Sequence, residues 1–341
     1  MAGKDEPKTM RAWLYSSVAG GLEKNLKLSE ATVKPVAKDQ ILVKVHSTSV
    51  NPVDYKIPEL GMLARFMVAM PAAPGGDFAG TIAEVGEGIK SADAFRVGEK
   101  VFGNVAPQQY GTFAEYIVVK PENIASLPDG VSEADASCVG TAGLTAYQSI
   151  VPHVKSGDKV FINGGSGGTG TFGIQMAKAV GCHVTTSCSS KNVELVKGLG
   201  ADDVIDYTKE NVSEVLKSRG QIFNHVVDNV GSPSDLFKAA DHYLVPSGKF
   251  MQVGGEMSLG SMKSMASRAI LPSFLGGGSR SWQFMMMKVN HDDYVQIGKL
   301  MKEGKVKPVI EETIDYQNAP KAIERIKSGR TRGKVVVQHS N

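Results

Sequence analysis

Phe161-Ile162-Asn163-Gly164-Gly165-Ser166-Gly167-Gly168-Thr169-Gly170 is the stretch that decides the fold. Lys159 to Ile162 reads as a short strand, and Thr169 to Val180 carries helical apolar spacing. Between them, Gly165-x-Gly167-x-x-Gly170 matches the dinucleotide fingerprint. One glycine makes the tight turn, one lets the backbone approach a pyrophosphate, and one lets helix and strand pack closely. The helix N-terminus adds free N–H groups and partial positive charge. Gly-rich loops are common, but a strand before and a helix after give this one its meaning. The loop residues Gly165, Ser166, Gly167, Gly168, Thr169 and Gly170 are therefore the expected pyrophosphate cradle.

Downstream of the loop, strand and helix alternate. His183 to Ser187, Val204 to Asp206, His225 to Asp228 and Gly248 to Val253 read as strands, with a helix over Asn192 to Leu199. That alternation predicts a doubly wound parallel sheet of the Rossmann type. Upstream, Gln40 to Val45, Thr81 to Val85, Lys100 to Gly103 and Phe113 to Val119 read as short strands separated by Gly and Pro clusters, which predicts a small β-rich domain. A single helical pattern runs over Ala136 to Val151. Tyr294 to Lys302 and Ala319 to Ser328 read as helices, and Lys334 to Val337 as a final strand that rejoins the first domain. The expectation is an α/β chain, with residues 1–135 completed by 286–341 as the β-rich domain and 136–285 as the dinucleotide domain.

An NAD-preferring site places an acid about 20 residues after the loop, where it binds the ribose 2′-hydroxyl. Here that position reads Ser187-Cys188-Ser189-Ser190-Lys191, hydroxyls followed by a cation. NADPH is the expected cofactor. The 341 residues include 38 Lys and Arg against 35 Asp and Glu, too even a balance for a nucleic-acid footprint. No stretch reaches the roughly 18–20 apolar residues of a membrane span. The N-terminus, polar and acidic, does not read as a leader. The three cysteines, Cys138, Cys182 and Cys188, suit a reducing cytoplasm better than a disulfide framework.

Several segments, in order along nearly the whole chain, resemble one family. Asn51-Pro52-Val53-Asp54, Pro74-Gly75-Gly76-Asp77-Phe78-Ala79-Gly80, Gly111-Thr112-Phe113-Ala114-Glu115-Tyr116, Ala142-Gly143-Leu144-Thr145-Ala146-Tyr147, Leu199-Gly200-Ala201-Asp202 with Asp206-Tyr207, and Gly333-Lys334-Val335-Val336-Val337 resemble motifs of zinc-independent medium-chain dehydrogenases/reductases, in the quinone oxidoreductase-like and alkenal or enoyl reductase branch. The resemblance implies a GroES-like catalytic domain, a Rossmann domain and an active site in the cleft between them. It implies that Asn51 and Thr141 lie near the nicotinamide, that Ser187, Ser189, Lys191 and Tyr207 surround the 2′-phosphate, and that Asn229, Val253 and Gly254 line the nicotinamide riboside. It further implies that Phe274 and Leu275 close over the cofactor, that Lys334 reaches a phosphate, and that two chains pair as a homodimer. Cys138-Val139-Gly140-Thr141 departs from the family, which often has a proline near this point.

Zinc-dependent members of the fold need a catalytic Cys, a His-Glu pair and often a four-Cys lobe. Asn51 stands where the Cys would be, Asp77 where His-Glu would begin, and no cysteine precedes Cys138. No metal is expected. Without a Lewis acid, hydride addition to a conjugated acceptor is the easier chemistry, because charge spreads to an oxygen. Tyr55 is the expected proton donor, with a plain wall residue as the other reading. The expected reaction is NADPH-dependent reduction of the activated C=C bond of an enone or enal. An NADPH:quinone oxidoreductase and a non-catalytic NADPH-binding protein are the alternatives.

Overall fold

The computed structural model describes residues 8–61, 68–89, 95–231, 235–255 and 280–339. The chain divides into two compact units. One comprises Met1–Leu144, Val289–Gly304 and Pro308–Asn341, and the other Thr145–Lys288 with Lys305–Lys307. Strands among the described residues are numbered β1 to β15 in chain order.

The second unit holds β8 (Lys159–Asn163), β9 (His183–Cys188), β10 (Asp203–Asp206), β11 (Phe223–Asp228), β12 (Leu244–Gln252) and β13 (Ser281–Phe284). Their order is β10-β9-β8-β11-β12-β13, and every pairing is parallel. This is the doubly wound order, with its switch point between β8 and β11. A parallel sheet must be covered on both faces, and the pleat shows it. Val160, Ile162, Val227 and Met251 pack into one cluster with Ile174 and Ala177 of the helix Gly168–Val180. Their neighbours Phe161, Val226 and Phe250 point the other way, against Leu216, Leu236 and Tyr243. The sixth strand, β13, was not legible as a strand, since four residues beside a Met run give no period of their own. Trp282 joins the second cluster from that strand.

The first unit is built on a seven-stranded sheet: β14 (Ile310–Asp315), β15 (Lys334–Gln338), β3 (Ile41–Val50), β4 (Asp77–Val85), β5 (Lys100–Asn104) and β7 (Ile124–Ser126) in that order, with β6 (Tyr116–Val119) also on β3. Its core is Ile41, Val43, Val45, Phe78, Ile82, Val101, Ile117, Val119 and Ile124. β1 (Thr9–Leu14) and β2 (Lys27–Thr32) form a separate antiparallel pair. The strand expected over Phe113 to Val119 is shorter, because residues 113 and 114 turn to β1 instead: Trp13 N–H donates to Phe113 O at 2.9 Å, and Ala114 bridges Ala12. The single helix expected over 136–151 is broken into Glu133–Ser137, a wide π-type turn at Val139–Gly143, and Leu144–Ile150. Ser132 caps the first piece through the Asp135 N–H. No helix among the described residues is long and apolar enough to cross a membrane.

Each unit buries a histidine as a neutral ring. His225 gives Nε2 to Ser149 O at 2.7 Å, and burial, with His153 and Lys249 nearby, lowers its pKa from 6.5 to about 4. His339 stacks on Tyr316 at 4.3 Å, and burial, with His46 and Arg11 nearby, lowers its pKa to about 3. The unfolded chain binds these protons first, so stability rises with pH across the window between folded and unfolded values. Denaturant titrations are therefore expected to show stability falling as pH drops from about 6.5 toward 4. The fall should be smaller in a variant with His225→Asn and His339→Asn, and equal slopes in the two proteins would contradict neutral burial of these rings.

Candidate active site

In the second unit, the glycine loop leaves β8 at the switch point. Gly164 takes φ +79°, a conformation that favours glycine. The loop is tied to β9 from below: Gly165 N–H donates to Ser187 O at 2.9 Å, and Gly164 N–H to Ser187 Oγ at 3.0 Å. A Cβ on Gly170 would collide with the backbone of Gly164 and Gly165, so the helix start can lie on the loop only with glycine there. Gly167 occupies the N-cap position of the 13-residue helix and offers no side chain to its first N–H groups. That leaves the helix terminus open to an anion.

Around the loop, β11 contributes a second layer. Asn163 Nδ2 donates to Asp228 Oδ1 at 2.8 Å, and Asn229 Nδ2 donates to Asn163 O at 3.1 Å. Val253 and Gly254 hang their N–H groups on Asp228 O at 2.8 and 3.1 Å. Asn229, Val253 and Gly254 are thus brought together, and Gly254 lies so close to Asn229 O that a Cβ has no room. Among the described residues Asn229 Oδ1 is buried without a partner, an acceptor left over at the switch point. These features fit a bound dinucleotide. Asn163 and Asp228 were missed in the sequence, where a polar residue at a strand's last position carries no motif.

The residues expected around a 2′-phosphate separate into two groups. Ser187 is fully buried and its hydroxyl donates to Asn163 Oδ1 at 2.5 Å, so it braces the loop rather than facing outward. Ser189, Lys191 and Tyr207 lie where β9 and β10 end side by side, Asp206 being in register with Cys188. Tyr207 is 57% exposed, and Lys191 is also exposed. Asn192, missed in the sequence, joins Ser166 Oγ and Ser189 Oγ at 3.1 and 3.3 Å. An acid does stand nearby, on β10 rather than β9. Asp206 accepts from Ser190, from Thr208 Oγ1 at 2.6 Å and from Thr208 N–H at 3.0 Å, which together lower its pKa to about 2. Phe274 and Leu275 lie outside the described residues.

In the first unit, Asn51, Thr141 and Lys334 meet around a residue that no motif reading singled out as functional. Asp77, the first residue of β4, is fully buried. Its carboxylate accepts from Asn51 Nδ2 at 2.7 Å, Ser49 Oγ at 3.0 Å, Asn104 Nδ2 at 2.8 Å and Thr141 Oγ1 at 2.6 Å. Lys334 Nζ lies 3.7 Å away and donates to Val50 O at 3.0 Å and to Asn51 Oδ1. The expected role of Lys334 at a phosphate gives way to this one: its ammonium is 2% exposed as a residue and bonded within the sheet. Gly140 explains the departure noted in the sequence. A Cβ there would sit 2.5 Å from Asp77 Oδ1 and 2.8 Å from Gly103 O, and the wide turn carries Thr141 onto the same carboxylate.

Tyr55 sits in the short helix Val53–Lys56, half-buried against the core cluster that contains Tyr15, Leu22 and Tyr316. Lys327 Nζ lies 5.5 Å from its ring centre, held by Glu23 at 2.8 Å and Glu59 at 2.7 Å. Burial and then Glu59 raise the phenol's pKa, so it keeps its proton. Among the described residues its hydroxyl makes no hydrogen bond. Cys138 is a buried thiol pushed up to about 12 by burial, donating to Ala134 O at 3.3 Å.

Comparison with known proteins agrees with this architecture. Residues 37–129 match the alcohol dehydrogenase GroES-like domain and residues 199–337 the zinc-binding dehydrogenase family. The chain is 44% identical over 345 residues to the trans-enoyl reductase pgmF of Aspergillus terreus, covering 97% of each. It is 31% identical to the human NAD(P)H oxidoreductase RTN4IP1, mitochondrial, over 96% of this chain and 89% of that one. The solved quinone oxidoreductase of Coxiella burnetii superposes with a TM-score of 0.83 at 30% identity, covering 97% and 99%. The chain belongs to the medium-chain dehydrogenase/reductase superfamily, in its quinone oxidoreductase and enoyl reductase branch. It is an oxidoreductase that uses a nicotinamide cofactor.

A zinc ion does not fit the Asp77 cluster. The cation there is Lys334, the amide of Asn51 is bonded at both ends, and the Cys138 thiol stays protonated. Among the described residues, no group of three His, Cys, Asp or Glu side chains is placed to hold a metal.

Removing one partner of a buried ion pair leaves the other uncompensated, at about 3–5 kcal/mol. Lys334→Met is expected to lower stability by about that much in urea titrations. Gly140→Ala should cost ~1–3 kcal/mol through overpacking, whereas Gly111→Ala, whose Cβ meets nothing nearer than 3.9 Å, should be near neutral. Equal effects of the two alanines would remove the argument for close approach at Gly140.

Proposed function

We propose that this protein is an NADPH-dependent reductase of the activated C=C bond of an enone or enal. The likeness to a trans-enoyl reductase along nearly its whole length carries the reading, and the site chemistry supports it. When bound, the cofactor supplies the hydride. The loop Gly165 to Gly170 and the open helix terminus bind its pyrophosphate. Lys191, with Ser189 and Tyr207, favours a 2′-phosphate. Asp206 stays ionised, but its oxygens are turned to Ser190 and Thr208 and its charge is met by Lys209 Nζ at 3.4 Å. NADPH is therefore preferred to NADH.

The reacting carbonyl-conjugated bond needs a proton after hydride arrives. Tyr55 is the chain's own candidate donor: a phenol kept protonated, with no competing hydrogen bond among the described residues. The cluster around Asp77 carries its own cation, so charge on the product oxygen is met by hydrogen bonding and proton transfer. Quinones are the second reading, favoured by the likeness to the Coxiella burnetii enzyme. We also infer a homodimer through β13, which ends the parallel sheet and is followed by Met286 at 73% exposure. Three free, buried cysteines suit a reducing compartment, here the cytoplasm.

Oxidation of NADPH against a panel of enones, enals and quinones, with product analysis, tests the reaction. Saturated ketones or aldehydes as products are expected. Tight NADPH binding with no turnover of any of them would favour a non-catalytic role. Lys191→Ala should raise the KM for NADPH roughly tenfold, the size of one lost charge contact of about 1.4 kcal/mol, and leave that for NADH unchanged. Tyr55→Phe should lower kcat by about 10²-fold or more if the phenol donates the proton. A change smaller than threefold would reduce Tyr55 to a wall of the pocket.

A further inference from the structure

Beside the Asp77 cluster lies a second buried carboxyl, Asp54, in the turn between Asn51 and Tyr55. It closes that turn on itself. Asp54 Oδ2 accepts the Asn51 N–H at 2.7 Å, while Asp54 N–H donates to Asn51 O at 3.0 Å. This reciprocal pair has the logic of a capping box. Among the described residues Asp54 Oδ1, in contrast, is sealed from solvent without a well-formed hydrogen bond; the Gly76 N–H faces the carboxyl and, with the Asn51 N–H, works against burial by favouring the anion.

The charges here do not balance if every group is ionised. Asp77 and Asp54 would bring two anions, and among the described residues Lys334 is the ammonium that faces both. Asp77 is surrounded by donors, as an anion requires. Tyr110, the other titratable group beside Asp54, offers no positive charge: it is a phenol that burial holds protonated. An anionic oxygen left unpartnered in a dry interior is far more costly than a neutral acid in the same place.

We propose that Asp54 is a positioning residue that works as a neutral carboxylic acid: by keeping its proton it leaves Asp77 and Lys334 balanced and holds Asn51 and Tyr55 in place. Burial, then Asp77, raise its pKa to about 8, so the proton is retained at neutral pH and lost in mild alkali. Ionisation adds a second anion beside Asp77 and loosens the turn that carries Tyr55.

The kinetic part of this inference rests on the reductase reading; the stability part does not. Asp54 binds a proton in the folded state that the unfolded chain has lost, so it makes stability fall as pH rises from about 4 to about 8. Asp54→Asn copies the neutral acid. Relative to wild type, its melting temperature should gain progressively between pH 5 and pH 8 and then level off; a constant offset at all pH values would overturn the proposal. In turnover, wild type should lose about tenfold in kcat per pH unit above about 8, the slope of one ionisation. Asp54→Asn should keep most of the neutral-pH kcat without that alkaline fall, and Asp54→Ala should be low throughout. Retention of the alkaline fall in Asp54→Asn would overturn the proposal. Should the variants fail to fold, infrared difference spectra of the wild-type protein between pH 7 and pH 9 decide the matter. Loss of a carboxylic-acid carbonyl band is expected, and its absence would refute a neutral Asp54. A protein with no reductase activity would still answer through the melting and infrared measurements.

Discussion

Asp77 is the constraint on which the first unit depends. A carboxylate taken wholly out of water must find its full set of donors inside the protein, or the fold loses several kcal/mol. Here the partners come from three strands, β15, β3 and β5, and one turn, around Asp77 on β4. The sheet order β15-β3-β4-β5 places Lys334, Ser49 with Asn51, Asp77 itself and Asn104 side by side. Each sits at or near a strand end, where side chains converge on one point. The fifth contributor, Thr141, arrives on a π-type turn that an ordinary helix would not provide, and Gly140 supplies the clearance for it. One buried charge thus accounts for the break in a helix, for a glycine without positive φ, and for a buried lysine at the start of the last strand.

The second unit answers to a simpler rule. Its loop, helix start and flanking strands are contiguous in sequence, so their physics is local and legible. The glycine spacing, the strand before it and the helix after it were all readable because each is stated within about twenty residues of chain. A doubly wound parallel sheet followed from alternation of β and α, since a right-handed crossover leaves few topologies open. What stayed hidden there was the support beneath the loop. Ser187 looked like a phosphate ligand because it lies at a strand end in a hydroxyl-rich run; only the fold shows its hydroxyl turned inward onto Asn163 and Gly164.

The polar cluster of the first unit was opaque for the opposite reason. Asn51 and Asp77 are 26 residues apart, Asp77 and Thr141 64, and Lys334 and Asn51 283. No periodicity links positions so far apart, and a lone Lys after Gly333 is more naturally read as a phosphate contact than as a core residue. A usable signal did exist: Asp in an apolar Gly-Asp-Phe-Ala-Gly run is a charge in a strand that must be buried. A buried acid calls for a buried base, and Lys334, directly before Val335-Val336-Val337, was the matching one.

The Asp77 cluster also accounts for how a fold associated with zinc can do without it. A divalent cation held by Cys and His organises its ligands by strong, directional bonds. An ammonium is a weaker organiser, with three donors and a single charge. Lys334 spends those donors on Val50 O and Asn51 Oδ1 and lends its charge to Asp77. The lost rigidity is restored by hydrogen bonds: Asn51 is fixed at both ends of its amide and at its backbone N–H. What such a centre cannot do is polarise a carbonyl as a Lewis acid would. It can hold a turn and its side chains in register while the hydride donor does the chemistry, which is all that an already activated double bond requires.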